Sequence, residues 1–531
     1  MKSYRVLLKE NFYEADDSVA DHWTEDAGAA AISIVSNKYR FADGTGATLS
    51  RAHFTRLVGQ AQAMEYQFQA VQYTPNCAPG WDFRMYFYID NTAGAHYGNG
   101  YVVKVIEAAG VIYIKIYKIA ANVLTEKASA SITFVQGTTY LFRIEYDPAT
   151  GKIEVFQAGV TKVNWTDPAP LAGGSYVALR ANLVDVEYNK VRARRPADSP
   201  PLITEPHICH MINQPSTWKA QFKLDSGAAG ATEWLVNDGF ELELYDSITD
   251  AYLEEFDGRV NDVKVDTHRG VAELTGTDWR GQCLKTEAVY AGGAKIVSDI
   301  MKDIIHDNLT VLREGSVKAS TDAPAARVLG GQYVQDKLYQ LCIEAKFSMW
   351  QTFWRAFMIT DVYPASGVTI NDATDDVIDS EWVQEGGEMI NQLSLYYGAA
   401  FTPTSSYDGG SQALYDKTGK VVVDPTIPDA AHAALYIAGL MSKTLGNEKM
   451  IDIWEATYPQ LQIGDQVTLT LATLGLAAAN GIVIEKEHGP DVPGMRFRVI
   501  LMTNWTKEKA TYHSKVAEAG SRGQGALAFQ I

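Results

Sequence analysis

Four ring-bearing residues fall close together in the first fifth of the chain: Trp81, Tyr86, Tyr88 and Tyr97. Rings of this kind stack on the apolar faces of sugars, and Asp82 and Asp90 between them supply carboxylates for sugar hydroxyls. Gathered on one concave surface, they make a carbohydrate-binding platform. Tyr86 and Tyr88 also alternate along one strand, a pattern that a plain sheet surface or core shows equally. A second cluster, His207-Ile208-Cys209-His210, holds three metal-competent side chains. On a strand His207 and Cys209 share one face and His210 takes the other, and no ligand pair follows at zinc spacing, so no metal site is expected. The sequence has no HExxH, no GxSxG elbow and no Walker loop. No catalytic residue and no cofactor are expected.

Composition bounds what these residues serve. With 531 residues the chain exceeds one ordinary core, so two to four domains are expected. Lys and Arg number 46 against 64 Asp and Glu, a formal charge of −18. That balance argues against a general nucleic-acid surface, which needs clustered cations. The start, Met1-Lys2-Ser3-Tyr4-Arg5, lacks the apolar run of a signal peptide, so synthesis in a cytoplasm is expected. No apolar stretch is long enough to span a bilayer, and no stable membrane insertion is expected. Cys77, Cys209, Cys283 and Cys342 are scattered without a CxxC pair and read as core thiols.

The elements that must position the candidate residues are mostly strands. Residues 4–192 carry period-2 runs, among them Arg84-Met85-Tyr86-Phe87-Tyr88-Ile89 and Val111-Ile112-Tyr113-Ile114, with turn signals such as Asp147-Pro148 between them. A β-sandwich follows. Arg192, Arg194 and Arg195 read as a solvated strand end ahead of Pro196, and Pro200-Pro201 closes a linker. Beyond it, strands are expected to about residue 279 and helices over 294–307, 332–346 and 429–445, the first marked by Ile296, Val297, Ile300, Met301, Ile304 and Ile305 at helical spacing. Strands resume over 451–505. The aromatic run from Phe347 through Trp350, Phe353 and Trp354 to Phe357 suits either packing between a helix and a sheet or an anchor on a neighbour. The resulting division is a sandwich over 1–195, a linker over 196–201, a first barrel with a helix over 202–330, a connecting α/β region over 331–450, strands of a second barrel over 451–505 and a flexible tail over 506–531.

The second half holds a weak internal repeat. One segment runs through Gly239-Phe240-Glu241-Leu242, Gly258-Arg259-Val260 and Thr277-Asp278-Trp279. Another runs through Gly464-Asp465-Gln466-Val467, Gly481-Ile482-Val483 and Thr503-Asn504-Trp505. Each reads as a small antiparallel barrel in which a strand-leading glycine permits a sharp bend and a tryptophan plugs one end.

In their order, Phe256-Asp257-Gly258-Arg259-Val260, Leu274-Thr275-Gly276-Thr277-Asp278-Trp279, Ile390-Asn391-Gln392-Leu393, Tyr396-Tyr397-Gly398 and Gln462-Ile463-Gly464-Asp465-Gln466-Val467 resemble the tail-hub family. That family comprises contractile-phage baseplate hubs and the hub half of type VI secretion spike proteins. The resemblance covers a little over half of the chain. It implies a homotrimer whose paired barrels form a pseudo-sixfold ring, a symmetry adaptor in the virion's tail tip that opens for genome ejection. The implied partners are a hexameric tail tube or distal tail protein, a trimeric spike, needle or central tip protein, and a tape-measure protein and DNA passing through the lumen.

The N-terminal part resembles a different family. Tyr140-Leu141-Phe142-Arg143-Ile144-Glu145-Tyr146-Asp147, followed by Lys152-Ile153-Glu154-Val155-Phe156-Gln157, is similar to laminin-G or concanavalin-like jelly rolls. Modules of that shape bind sugars or serve as spacers, which makes a host surface glycan an implied partner. Glycoside hydrolysis on such a fold needs a carboxylate pair, carried by Glu-x-Asp-x-x-Glu on one strand. Here Glu145-Tyr146-Asp147-Pro148-Ala149-Thr150 ends in threonine, so hydrolysis is not expected. The expected fold is mainly β: a jelly-roll sandwich, then two small antiparallel barrels with connecting helices. The expected role is a non-enzymatic hub subunit. The rivals are a tail adhesin that binds glycans through its sandwich and a secreted carbohydrate-active enzyme.

Overall fold

The computed structural model describes residues 2–502 apart from 11–22, 28–31, 35–37, 43–49, 55–62, 74–78, 93–95, 172, 197–206, 224–234, 247–250, 310–311, 375–376, 384–389, 416, 447–449, 456–457, 490–491 and 493. Cys77, Trp505, most of the expected linker and the tail 506–531 lie outside the described residues.

The N-terminal part contains β1 (Lys2–Glu10), β2 (Trp23–Ala27), β3 (Ile32–Ile34), β4 (Tyr39–Ala42), β5 (Ser50–Phe54), β6 (Met64–Tyr73), β7 (Asp82–Ile89), β8 (Gly100–Ala108), β9 (Val111–Ala120), β10 (Val123–Ser131), β11 (Tyr140–Asp147), β12 (Lys152–Gln157), β13 (Val160–Thr166), β14 (Tyr176–Asn182) and β15 (Asp185–Pro196). Seven of them form an antiparallel sheet in the order β10-β9-β8-β7-β14-β5-β2. Facing it, β13-β12-β11-β6-β15 continue onto β4 and β1 along the two halves of the long β15. The turns explain the short hairpins. Ala109-Gly110, Ala121-Asn122 and Ala158-Gly159 all have positive φ, the two-residue geometry whose twist matches that of the strands it joins. Between the sheets lies an apolar core that includes Phe68, Phe83, Met85, Phe87, Phe142 and Tyr188.

Next come β16 (His207–Met211), β17 (Thr217–Lys223), β18 (Gly239–Asp246), β19 (Ala251–Asp266) and β20 (Val271–Asp278). A connecting region follows: β21 (Tyr290–Lys295), α1 (Val297–Asn308), β22 (Arg313–Val317), β23 (Ala325–Leu329), α2 (Val334–Ala345), β24 (Ser348–Gln351), β25 (Ala356–Thr360) and β26 (Ala365–Asn371). The apolar stripe of α1 packs on Val334, Leu338, Leu341 and Cys342 of α2, as the helical spacing requires. The chain then enters β27 (Val377–Val383) and leaves through β28 (Gln392–Tyr397), β29 (Thr402–Tyr407), α3 (Gly409–Tyr415), β30 (Gly419–Asp424) and α4 (Ala430–Gly446). It ends on β31 (Met450–Glu455), β32 (Gln466–Leu471), β33 (Leu476–His488) and β34 (Met495–Leu501). No helix among the described residues is long and apolar enough to cross a membrane.

The repeat is visible in the hydrogen-bond ladders. The first unit pairs β18-β19-β20-β17-β16 and the second pairs β32-β33-β34-β31-β27, every contact antiparallel. The register repeats residue by residue. Gly258 stands opposite Asp278 as Gly481 stands opposite Leu501, and Trp218 opposite Gly276 as Ile451 opposite Val499. Even the bulge recurs, between Val260 and Asp262 in β19 and between Val483 and Glu485 in β33. A Cβ at Gly258 would lie 2.4 Å from the Thr277 carbonyl oxygen, and one at Gly481 would lie 3.1 Å from that of Ile500, the equivalent residue. The close approach at this bend is why both strands carry a glycine here, in mid-strand rather than at the expected leading position.

Three expectations need correction. The meanders do not close into barrels through hydrogen bonds among the described strands. The matching Thr-x-Trp ends are not equivalent, because Asp278 answers to Leu501, and Trp505 therefore follows three residues too late. Nor does Trp279 plug the first unit. It belongs to the helical cluster, with the Arg355 guanidinium 4.2 Å above its ring, while Trp218 fills the unit by stacking on Phe240 at 3.9 Å.

Candidate functional site

Residue by residue, the four expected sugar-stacking rings are buried, and the sheet separates them. Trp81 stacks on Phe83 at 6.1 Å inside the sandwich. Tyr88 has φ +52, which breaks the alternation of β7 and turns its ring into the core against Tyr146 at 4.9 Å. Gly174 makes room for this kink, since a Cβ there would lie 2.0 Å from the Tyr88 carbonyl oxygen. Tyr86 and Tyr97 do meet, edge to face at 5.1 Å, on the opposite face of the sheet. Asp90 is spent on its own turn, accepting hydrogen bonds from Asn99 N at 2.9 Å and Asn99 Nδ2 at 2.6 Å. An open stacking platform is therefore not what these residues form.

The face that carries Tyr86 holds a different group. Ladder register places Arg51 opposite Arg180, Arg180 opposite Arg84, Arg84 opposite Lys104 and Lys104 opposite Lys115, one row of cations across five strands. Asp82 sits beside the row. It accepts from Arg84 Nε at 2.5 Å and Nη2 at 3.0 Å, and lies 3.1 Å from Lys104 Nζ. Burial would raise the Asp82 carboxyl, but Arg84 and Lys104 overcome it and hold the group below its ordinary value. Arg180 Nη1 reaches Tyr86 Oη at 3.1 Å and His96 Nδ1 at 3.4 Å, and its Nε is buried with no hydrogen-bond partner. Burial first, then the Arg180, Arg84, Arg51 and Lys104 charges, push His96 down to about 4. A neutral imidazole in the middle of cations is what lets Nδ1 accept from Arg180. The row escaped sequence reading because cross-strand register is a property of the folded sheet. Its trace in the sequence is one basic residue at a face-compatible position on each of five strands.

The other candidates are structural. Asp147 accepts from Ala149 N at 2.9 Å and Thr150 Oγ1 at 2.7 Å, which builds the β11–β12 turn. His207 pairs with Glu487 at 2.9 Å and His210 with Glu255 at 3.1 Å, on opposite faces of β16. Among the described residues no three His, Cys, Asp or Glu side chains converge as a metal site.

The junction between the sandwich and the first unit is charged and closed. Strand β1 pairs with β15 on one side and β18 on the other, so one sheet runs through both parts. Arg192 and Arg194, expected at a solvated strand end, are instead buried. Arg194 Nη1 lies 2.9 Å from Glu241 and 2.6 Å from Glu243, Arg192 Nη1 lies 3.3 Å from Glu241, and Lys9 Nζ reaches Glu241 at 2.6 Å. Burial alone would raise Glu241; Lys9, Arg192 and Arg194 hold it well below the usual carboxylate range. Phe353 and Trp354 of the aromatic run close the junction, with Lys9 Nζ 3.6 Å above the Phe353 ring.

The two repeated units meet at a further seam. Strand β16 of the first pairs with β33 of the second, Ile208 opposite His488 and Cys209 opposite Glu487. Buried Glu255 accepts from Lys486 Nζ at 2.7 Å just behind it.

No protein-family model matches the chain, and no curated protein matches it. Among solved structures it is similar to the 43 kDa tail protein of prophage MuSo2 from Shewanella oneidensis, at 12% identity over 56% of this chain and 94% of that one, with a TM-score of 0.43. It is also similar to an Escherichia coli component of the type VI secretion system, at 11% identity over 57% and 75% of the two chains, with a TM-score of 0.37. A carbohydrate-binding module of Bacillus subtilis, CBM66, is similar at 13% identity over 32% of this chain and 94% of the module, with a TM-score of 0.26.

Proposed function

We propose that the chain is a non-enzymatic structural subunit of a phage-type tail tip. Three copies form a ring of six equivalent units that joins a hexameric tail tube to a trimeric spike or central tip and opens for genome ejection. The observation that supports this reading is a seam used once within the chain, whose counterpart edges are left over. In the seam, β16 of the first unit pairs with β33 of the second. The equivalent edges at the other ends are β27 and the far half of β19. Among the described strands β27 pairs with β31 alone, and β19 beyond Val260 pairs with β20 alone. Val265 is 39% exposed on that segment. Repeating the seam between copies sets Trp382 opposite Val265 and Val383 opposite Lys264 of the next chain. Such a head-to-tail contact closes into a ring or runs on as a filament.

The test is a disulfide across the proposed contact, Lys264→Cys with Val383→Cys in the full chain, together with native mass by light scattering. Facing strand positions have the spacing a disulfide needs. The expected result is a mass near three times 58.3 kDa and covalent ladders ending at the trimer in the double variant only. A monomer that forms no cross-link, with tail-tube protein present, counts decisively against the reading.

A second reading is a tail adhesin whose sandwich binds host surface glycans. One observation favours it: the row of cations on the outer face of the seven-stranded sheet.

A further inference from the structure

Like charges set directly opposite on neighbouring strands repel each other, so five in one row cost the sandwich stability. Arg51, Arg180, Arg84, Lys104 and Lys115 stand in such a row, in a chain whose formal charge is −18. Asp82 pairs with Arg84 and Lys104, and Glu126 pairs with Lys115 at 2.9 Å. Arg180 lies at the centre of the three-arginine end. It is 9% exposed, its recorded partners are the uncharged Tyr86 hydroxyl and His96 ring, and its Nε has no hydrogen-bond partner. The nearby Asp82 carboxylate acts on Arg180 through its charge but spends its hydrogen bonds on Arg84, Lys104 and Asn182. A buried guanidinium with no hydrogen-bonded carboxylate is costly unless an anion completes it.

We propose that this face binds an acidic saccharide, with Arg180 and its neighbours in the row receiving the ligand's carboxylate or phosphate oxygens. Guanidinium groups suit both anions, because their planar fork matches two oxygens at once. Five strands at about 4.8 Å spacing make the row about 19 Å long, the reach of a short polymer segment rather than a lone ion. Asn182, whose Nδ2 donates to Asp82, and Tyr117, whose hydroxyl donates to Glu126, hold acceptor oxygens on the same face for sugar hydroxyls. The inference rests on the adhesin reading of the sandwich and names the ligand class for it.

The experiment uses the full chain and three polymers: polygalacturonate for carboxylate, poly(glycerol phosphate) for phosphate and dextran as a neutral glucan. Calorimetry is run on the unmodified chain and on the Arg180→Gln and Lys115→Gln variants, with circular dichroism to check folding. The expected result is binding of at least one polyanion, which weakens with added salt and falls about tenfold in Arg180→Gln. Which polyanion binds identifies the source of the anionic group. Lys115 is a half-buried outer member of the row, so Lys115→Gln carries the test should Arg180→Gln not fold. Polyanion binding that is unchanged in both variants overturns the inference. Dextran binding without polyanion binding overturns it too, yet leaves the adhesin reading standing; no binding to any of the three sinks both.

Discussion

At the scale of single residues, the sandwich and the repeat rest on side chains whose neighbours leave them little choice. Gly276 illustrates this. A Cβ there would lie 1.9 Å from the Arg259 carbonyl oxygen and 2.3 Å from Trp218 Nε1, which itself donates to that carbonyl at 3.1 Å. Gly276→Ala is expected to cost about 1–3 kcal/mol through overpacking, read as a lower denaturant midpoint. In the second unit the same cross-strand place holds Ile451 opposite Val499, so volume moved from one strand to the other while the pairing stayed. His96 gives a pH prediction. Its folded pKa of about 4 lies below the ordinary 6.5, so the unfolded chain binds the proton first. Its contribution to stability is therefore full above pH 6.5 and declines as pH falls toward 4. An imidazole NMR titration is expected to find the midpoint near 4, and His96→Gln is expected to flatten the stability profile between those limits. A midpoint near 6.5 would mean that the cation row does not act on this ring.

At the scale of elements, the decisive feature is how β1 is shared. It borders β15 of the sandwich and β18 of the first unit, over a layer of buried charges. Glu241 is the hub of that layer, facing Lys9, Arg192 and Arg194. Glu241→Ala removes the one carboxylate that all three cations share in a closed junction, while Asp257, Glu243 and Glu65 still face them, and is expected to cost about 3 kcal/mol. The pH dependence has the same origin. Because its folded pKa is depressed, Glu241 contributes fully above the unfolded carboxylate value near 4.5, and the contribution is lost as pH falls below it. Acid unfolding monitored by tryptophan fluorescence checks the direction, with the Glu241→Gln profile expected to be shallower. The helices behave more locally. Apart from Ile296, the residues expected to form the stripe of α1 are buried against Val334, Leu338, Leu341 and Cys342 of α2, and Gly439 of α4 approaches so closely that a Cβ would lie 1.7 Å from the Ile343 carbonyl oxygen.

At the scale of the whole molecule, the sandwich and the first repeated unit share one continuous sheet through β1. A chain that starts at Pro201 would leave the β18 edge open and strip Glu241, Glu243 and Asp257 of Lys9, Arg192 and Arg194. Such a truncation is expected to be less stable than the full chain and prone to associate through the bare edge. Thermal unfolding with light scattering checks it; an undiminished midpoint with no association would mean the shared strand is dispensable. The cation row and the proposed seam between copies lie on different parts of the chain, so ligand binding and ring formation are expected to respond to separate variants.

The sequence by itself determined the mainly-β class, the positions of α1, α2 and α4 though not of the short α3, and the existence of a repeat. Alternation, helical spacing and the recurring glycines are local signals that survive without tertiary context. It also singled out Tyr86, which the fold places beside the cation row, though for a stacking role that its burial does not support. Only the tertiary structure decided which side chains share a face. The left-handed residue Tyr88 flipped one ring into the core, and the equivalence of Asp278 with Leu501 set aside the matching tryptophans. Cross-strand register lined up five basic residues that are far apart in the chain. A one-residue slip moves every side chain of a strand to the other face, and the register is fixed by bulges, turns and packing that no single segment contains.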